Sequence, residues 1–164
     1  MAVCLRVRLT RHLVRQVRLV ELAQRVLLLS GEAHSELSLE LIGDRRMQRL
    51  NREYRHRDRT TDVLAFPTRE AIVPNGLSCR TSLLGDVVIS LPTAIRQARA
   101  MGRSVDEELA ILLVHGVLHL CGYDHERNMR EAKRMSRRER TILRLISPIP
   151  HIVTLRRERR IRDN

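Results

Sequence analysis

Val3, Leu5, Val7 and Leu9 recur at every second position, the period of a strand with one buried face. A helical period follows over 11–30: Leu13, Val17, Val20, Leu27 and Leu28 fall on one side, Arg11, Arg15, Arg18 and Arg25 on the other, and Gly31 closes it. The run SELSLELIG then puts Leu37, Leu39 and Leu41 on one face of a second strand, and Asp44 reads as the N-cap of a short helix to residue 54. RHRDRTTDVLAFPT shows no helical repeat and ends in a short strand over 63–66 that Pro67 stops. Pro74, Asn75 and Gly76 mark 69–82 as an exposed loop.

LLGDVVIS reads as a compact strand, and Pro92 suits the first turn of a helix to 101. Ser104 with Glu107 has the form of a capping box, opening a helix to 120 that is apolar nearly all round and therefore central and buried. A last amphipathic helix spans 126–146, ended by Pro148 and Pro150. No internal repeat is visible. The pattern predicts an α+β fold: a small mixed sheet of about four strands flanked by helices. Residues 1–150 form one domain in this reading, and 151–164 a basic, flexible tail too charged to pack.

Composition adds two constraints. Aromatics are 2% of the 164 residues, so the core must be aliphatic. The formal charge of +12, carried almost wholly by arginine, points to a polyanion and to nucleic acid first; a general preference for arginine over lysine is the plainer explanation. Cys4, Cys79 and Cys121 are odd in number and far apart, which favours a reducing, cytoplasmic setting over a disulfide framework. No apolar run has the length of a membrane span. The arginine-rich start imitates a transit peptide, but its strand alternation argues against that reading.

The stretch VHGVLHLCGYDHE carries three of the chain's seven histidines. His115 and His119, four apart on a helix, advance about 400° and share one face. Gly122 can take φ > 0 and end the helix, and the turn after it can fold His125 back over the pair. Three imidazoles then form a tripod for a metal. Zn2+ suits it, with the fourth tetrahedral position left to water as in a catalytic site, and other divalent transition metals share the ligand preference. Cys121 points to another side of the helix and reads as packing. His12, His34, His56 and His151 default to the surface. The spacing also fits metzincin metalloproteases, but the position of their general base is Gly116 here.

HGVLHLCGYDHE closely resembles the HGxLHLxGYDH signature of the YbeY family, bacterial metal-dependent endoribonucleases of ribosomal RNA maturation and ribosome quality control. Asn51, Tyr54, Arg55, Asp58, Thr61, Asp62, Val63, Leu64, Phe66 and Pro67 resemble that family's NxxYRxKDxPTDVLSFP block, and LLGDVVIS its LLGDIVIS strand. The departures are Arg57 and Arg59 for lysines, Thr60 for proline and Ala65 for serine. The resemblance implies an α+β fold, a zinc-type metal on His115, His119 and His125, and Arg55 as a functionally important arginine. It further implies single-strand-specific cleavage of RNA, with the 3′ end of small-subunit ribosomal RNA as the expected substrate. The ribosomal small subunit, a ribosomal protein and an assembly GTPase are the expected partners, and the membrane is not one.

On that reading the metal on His115 and its partners supplies the chemistry, and the Arg55 guanidinium clamps the scissile phosphate. Arg57 and Arg59 are further candidate phosphate contacts, as are the basic face of the first helix and residues 157–162. Asp62 and Asp86 either orient a ligand imidazole or take a proton, or serve equally well as structural hydrogen-bond acceptors. Asp124 reads as a turn residue, and no clear general base emerges. Two rivals stand beside the nuclease: a ribosome-assembly RNA-binding protein with a mainly structural metal, and, more distantly, a metzincin-like metalloprotease.

Overall fold

The computed structural model describes residues 2–9, 11–68, 71–72, 78–79 and 83–156. Its elements in chain order are β1 (Ala2–Val7), β2 (Leu13–Val14), α1 (Gln16–Leu29), β3 (Glu36–Ile42), α2 (Asp44–Arg55), β4 (Val63–Pro67), β5 (Ala71–Ile72) and β6 (Ser78–Cys79). Then follow β7 (Leu83–Ser90), α3 (Leu91–Ala100), α4 (Val105–Leu120), α5 (Met129–Ile146) and β8 (Val153–Thr154). The main sheet is four-stranded in the order β1-β3-β7-β4. Its first three strands are parallel and β4 is antiparallel to β7, which makes the sheet mixed. The α+β class expected from the pattern is the class observed.

β1 and β3 follow the alternation closely. Leu37, Leu39 and Leu41 are fully buried, while Val3, Leu5 and Val7 on the edge strand are half-covered. Pro67, which has no N–H to give a ladder, ends β4, an edge strand where its absence costs least. α4 opens with the complete capping box: Ser104 Oγ accepts from Glu107 N, and the Glu107 carboxylate accepts from Ser104 N. Its Leu109, Leu113, Val114, Val117 and Leu118 are fully buried. Each contributes about 1.5–3 kcal/mol relative to exposure, so the helix is held on every side.

Five expectations need correction. The first helix starts at Gln16 and not at residue 11, because Leu13 and Val14 pair with Thr154 and Val153 in a short antiparallel ladder. Its buried face is Leu19, Leu22, Ala23, Val26 and Leu27, whereas Val17 is 71% exposed and Leu28 54%. Apolar residues cover more than half of this helix, so the i, i+3, i+4, i+7, i+8 set could be drawn in more than one way, and contact with α4 and β1 selects it. Asp44 is not a cap but the first helical residue. Its carboxylate accepts from Ser90 Oγ (2.6 Å), Thr93 Oγ1 (2.8 Å) and Arg96 Nη1 (2.8 Å), which ties α2 to α3. Burial opposes ionisation there, yet the hydrogen bonds from Arg96, Ser90 and Thr93 win and hold the carboxyl below its usual range.

The last helix begins at Met129, capped by Asn128 Oδ1 accepting from Glu131 N, and not at 126. The packed chain also runs past 150. Ile152 and Val153 are buried, and Asp106 Oδ1 accepts from both of their N–H groups at 3.0 and 2.8 Å, while His151 bonds the other carboxylate oxygen. A carboxylate at the start of α4 thus docks a segment that its own charge would have left free. Residues 157–164 of the expected tail lie outside the described residues, as do most of those of the expected 69–82 loop, where β5 and β6 pair antiparallel. No helix among the described residues is long and apolar enough to cross a membrane.

Candidate metal centre

The last two turns of α4 carry His115 and His119 on one face, rising from the most thoroughly packed helix of the fold. Between them Gly116 is pressed to the sheet: a Cβ there would lie 2.8 Å from Val87 Cγ1 and 3.4 Å from Val63 Cγ2. The glycine lets the helix sit low on β7 and β4 and sets the height of the histidines above the sheet. It also bears on the protease alternative, since a glutamate at 116 would be driven into Val87.

After Cys121 the chain reverses by a Schellman motif. Tyr123 N donates to Leu118 O (3.1 Å) and Gly122 N to His119 O (3.0 Å), with Gly122 at φ 90°. Asp124 Oδ1 then accepts from Glu126 N at 2.9 Å, a turn role as expected. This reversal brings His125 back. The ring centroids of the three histidines are 4.6, 5.0 and 5.2 Å apart, and one nitrogen from each lies within 4.8 Å of the others. The cluster could hold a metal ion.

The donor set fits one. Two nitrogens each 2.0–2.1 Å from a tetrahedral zinc are about 3.3 Å apart, and His115 Nε2 and His119 Nε2 are separated by 3.0 Å. His115 Nδ1 is 2.6 Å from Glu139 Oε1 on α5. A proton on Nδ1, donated to that carboxylate, leaves the Nε2 lone pair aimed into the cluster. Burial, followed by the His115 and His125 rings and Arg55, holds the His119 pKa below the ordinary 6.5 against the opposing charge of Asp124. That direction favours the neutral ring, the form that coordinates.

The histidines form one wall of a cavity of about 580 Å3, which Arg55, Arg57, Asp62 and Tyr123 also line. Arg55 ends α2, and His56, in the left-handed conformation at φ 55°, turns the chain so that Arg57 follows it onto the rim. Buried Asn51 holds that turn by accepting from Arg57 N and donating to Arg59 O. Arg59, expected beside them, does not line the cavity.

The two aspartates do not orient the imidazoles. Asp62 accepts from Val63 N (2.8 Å), Thr61 Oγ1 (3.2 Å) and Gln97 Nε2 (2.9 Å), which locks the start of β4 to α3. Asp86 neighbours Val87, which faces Gly116, so strand alternation turns it to the opposite side of the sheet. The carboxylate in the orienting position is Glu139, which sequence reasoning passed over. It stands on a strongly amphipathic helix where an acid looks like solvated surface. Cys121 Sγ lies 3.9 Å from Glu32 Oε1, away from the cluster.

The sequence model of Endoribonuclease YbeY matches residues 7–147. A protein of that name from an Anaeromyxobacter species is 53% identical over 114 residues, which is 70% of this chain and 56% of the relative. The chain therefore spans little more than half the length of that relative. The Geobacter metallireducens protein of the same name is 42% identical over 147 residues, 89% of this chain and 96% of its own, and the one from Aquifex aeolicus is 40% identical over 141. A solution structure of a Thermotoga maritima protein superposes with a TM-score of 0.58 at 23% identity, covering 86% of each chain, and shares the fold.

Proposed function

This chain belongs to the YbeY endoribonuclease family, and from that premise we propose that it is a metal-dependent endoribonuclease acting on single-stranded ribosomal RNA. The observation that carries the reading is the convergence of His115, His119 and His125 on one point, inside a cavity whose rim bears Arg55 and Arg57. Zinc is the ion best matched to three neutral imidazoles. When bound, it supplies Lewis acidity and lowers the pKa of a water to near neutrality.

The chain's own groups do the rest. Arg55 and Arg57 present planar guanidinium forks to phosphate oxygens, and Arg55 is positioned to hold the scissile phosphate as its charge grows. Glu139 fixes the tautomer and direction of His115. Aromatic stacking contributes little, because Tyr54 and Phe66 pack on each other edge to face at 4.9 Å and the Tyr123 ring carries Arg134 over it at 4.9 Å. Recognition then rests on phosphates and discriminates weakly between bases. The same reading places the protein at the 3′ end of small-subunit ribosomal RNA, with the small subunit, a ribosomal protein or an assembly GTPase presenting the strand.

Metal analysis followed by digestion of single-stranded RNA tests this. We expect about one metal per chain, cleavage that stops on chelation and cleavage that returns with Zn2+. A metal-loaded protein that leaves RNA intact would refute the nuclease and favour a ribosome-assembly binding protein with a structural metal. A second expectation concerns Glu139→Gln, which removes the acceptor charge but keeps the shape. Metal affinity, read by competition with a chromogenic chelator, should weaken about 10–100-fold. Unchanged affinity would mean that Glu139 serves only packing.

A further inference from the structure

A second cavity, of about 720 Å3, runs along the outer flank of α5, and its walls are cationic: Arg130, Lys133, Arg134, Arg137 and Arg138. No acidic side chain lines it among the described residues. Arg138 Nη2 donates to Leu29 O, and Arg134 sits 3.5 Å from Glu131 and over the Tyr123 ring at 4.9 Å. Arg130, Lys133 and Arg137 have no ion-pair partner among the described residues. Tyr123 is common to this groove and to the three-histidine cavity, so the two adjoin at one ring.

The surface does not suit a lipid bilayer. Of the apolar residues of α5, Met135, Ile142 and Ile146 are buried in the core and Leu145, 53% exposed, lies outside the groove, whose lining offers only Met129, 74% exposed, as a large aliphatic side chain to solvent. What remains is a line of cations beginning at the metal cavity. Residues 130 to 141 span about 16 Å of helix at 1.5 Å per residue, the reach of a few nucleotides of an extended single strand. We propose that this flank of α5 is the track along which an RNA strand leaves the three-histidine cavity, its phosphates held by Arg130, Lys133 and Arg137. The identity of the strand rests on the nuclease reading; the track does not require that cleavage occur.

The test uses metal-loaded protein and labelled 2′-O-methyl oligouridines of graded length, with binding read by anisotropy and cleavage of plain RNA followed in parallel. Affinity of the wild type should rise as the strand grows by the few nucleotides that span the groove beyond the shortest that binds. Arg130→Gln with Arg137→Gln should abolish that gain. It should also flatten the slope of log affinity against log salt by about 1.4, two phosphate contacts at about 0.7 each. Arg6→Gln with Arg99→Gln removes equal charge from the far edge strand β1 and from the α3 end remote from the histidines, and should leave both readouts unchanged.

A groove variant that tracks the wild type, a control pair that loses as much, or a wild type that binds no RNA overturns the proposal. So does a groove variant that loses binding to phosphatidylserine vesicles while its RNA binding is intact. RNA that binds through the groove but is never cut leaves the track standing and sinks the nuclease instead.

Discussion

Replacing His119 with alanine is expected to remove the metal and RNA cleavage together while the fold survives. The ring occupies the middle of the cluster, 4.6 Å from His115 and 5.0 Å from His125 between centroids, and burial favours its neutral form. Two imidazoles remain after the substitution, one of them exposed His125 at the end of a turn, and that pair has little to hold a dication. Metal affinity should therefore fall by more than about 100-fold, the upper end of what losing an outer partner costs. Cleavage should fall with it, to background. The helix beneath is indifferent, since Leu113, Val114, Val117 and Leu118 keep their contacts. Arg55→Gln supplies the contrast: metal content unchanged, with cleavage lower by about 100–1000-fold, the effect of losing one charge-stabilising donor. Cleavage that persists in the His119 variant would show that a contaminating nuclease, or another site, had been measured.

Much of this was legible because it is local. Three histidines, a glycine and a helical period fall within eleven residues, 115–125, and the same eleven residues make the site. The capping box of α4 and the alternation of β3 are likewise written within a few positions of where they act. What was missed depends on distant partners. Leu13 leaves the helix because Thr154 pairs with it. Asp44 abandons the cap for Ser90, Thr93 and Arg96, 46 to 52 residues away. Glu139 becomes the partner of His115 across 24 residues, a relation that no periodicity carries. The side of the sheet that Asp86 faces was undecided for another reason: a strand buried on both faces gives no alternation, and it is Val87 against Gly116 that assigns the faces.

Gly85→Ala should be among the most destabilising single-methyl changes in the described chain. Gly85 sits at φ 153° beside the register shift between β3 and β7, a conformation that L side chains rarely adopt. An added Cβ would lie 2.3 Å from the carbonyl oxygen of Phe66 and 2.8 Å from Leu120 Cδ2. The first of these is backbone and cannot turn aside. Backbone strain of about 1–3 kcal/mol and overpacking of similar size together give roughly 2–6 kcal/mol. For a chain of this length that lowers the melting temperature by on the order of 10 °C. Gly116→Ala meets only the methyls of Val87 and Val63 and should cost less, about 1–3 kcal/mol, while Gly43→Ala meets nothing within 4 Å and should cost about 1 kcal/mol or less through its helix cap. The order matters for function, because Phe66 belongs to the strand whose Val63 lies under Gly116, and Leu120 directly follows His119. Relief of the clash must push β4 or the end of α4 outward, so metal affinity measured well below the melting temperature should weaken with Gly85→Ala and hold with Gly43→Ala. Equal melting temperatures for the three variants would mean that β4 and α4 are not held at this spacing, and with it the rigid platform assumed for the histidines would be lost.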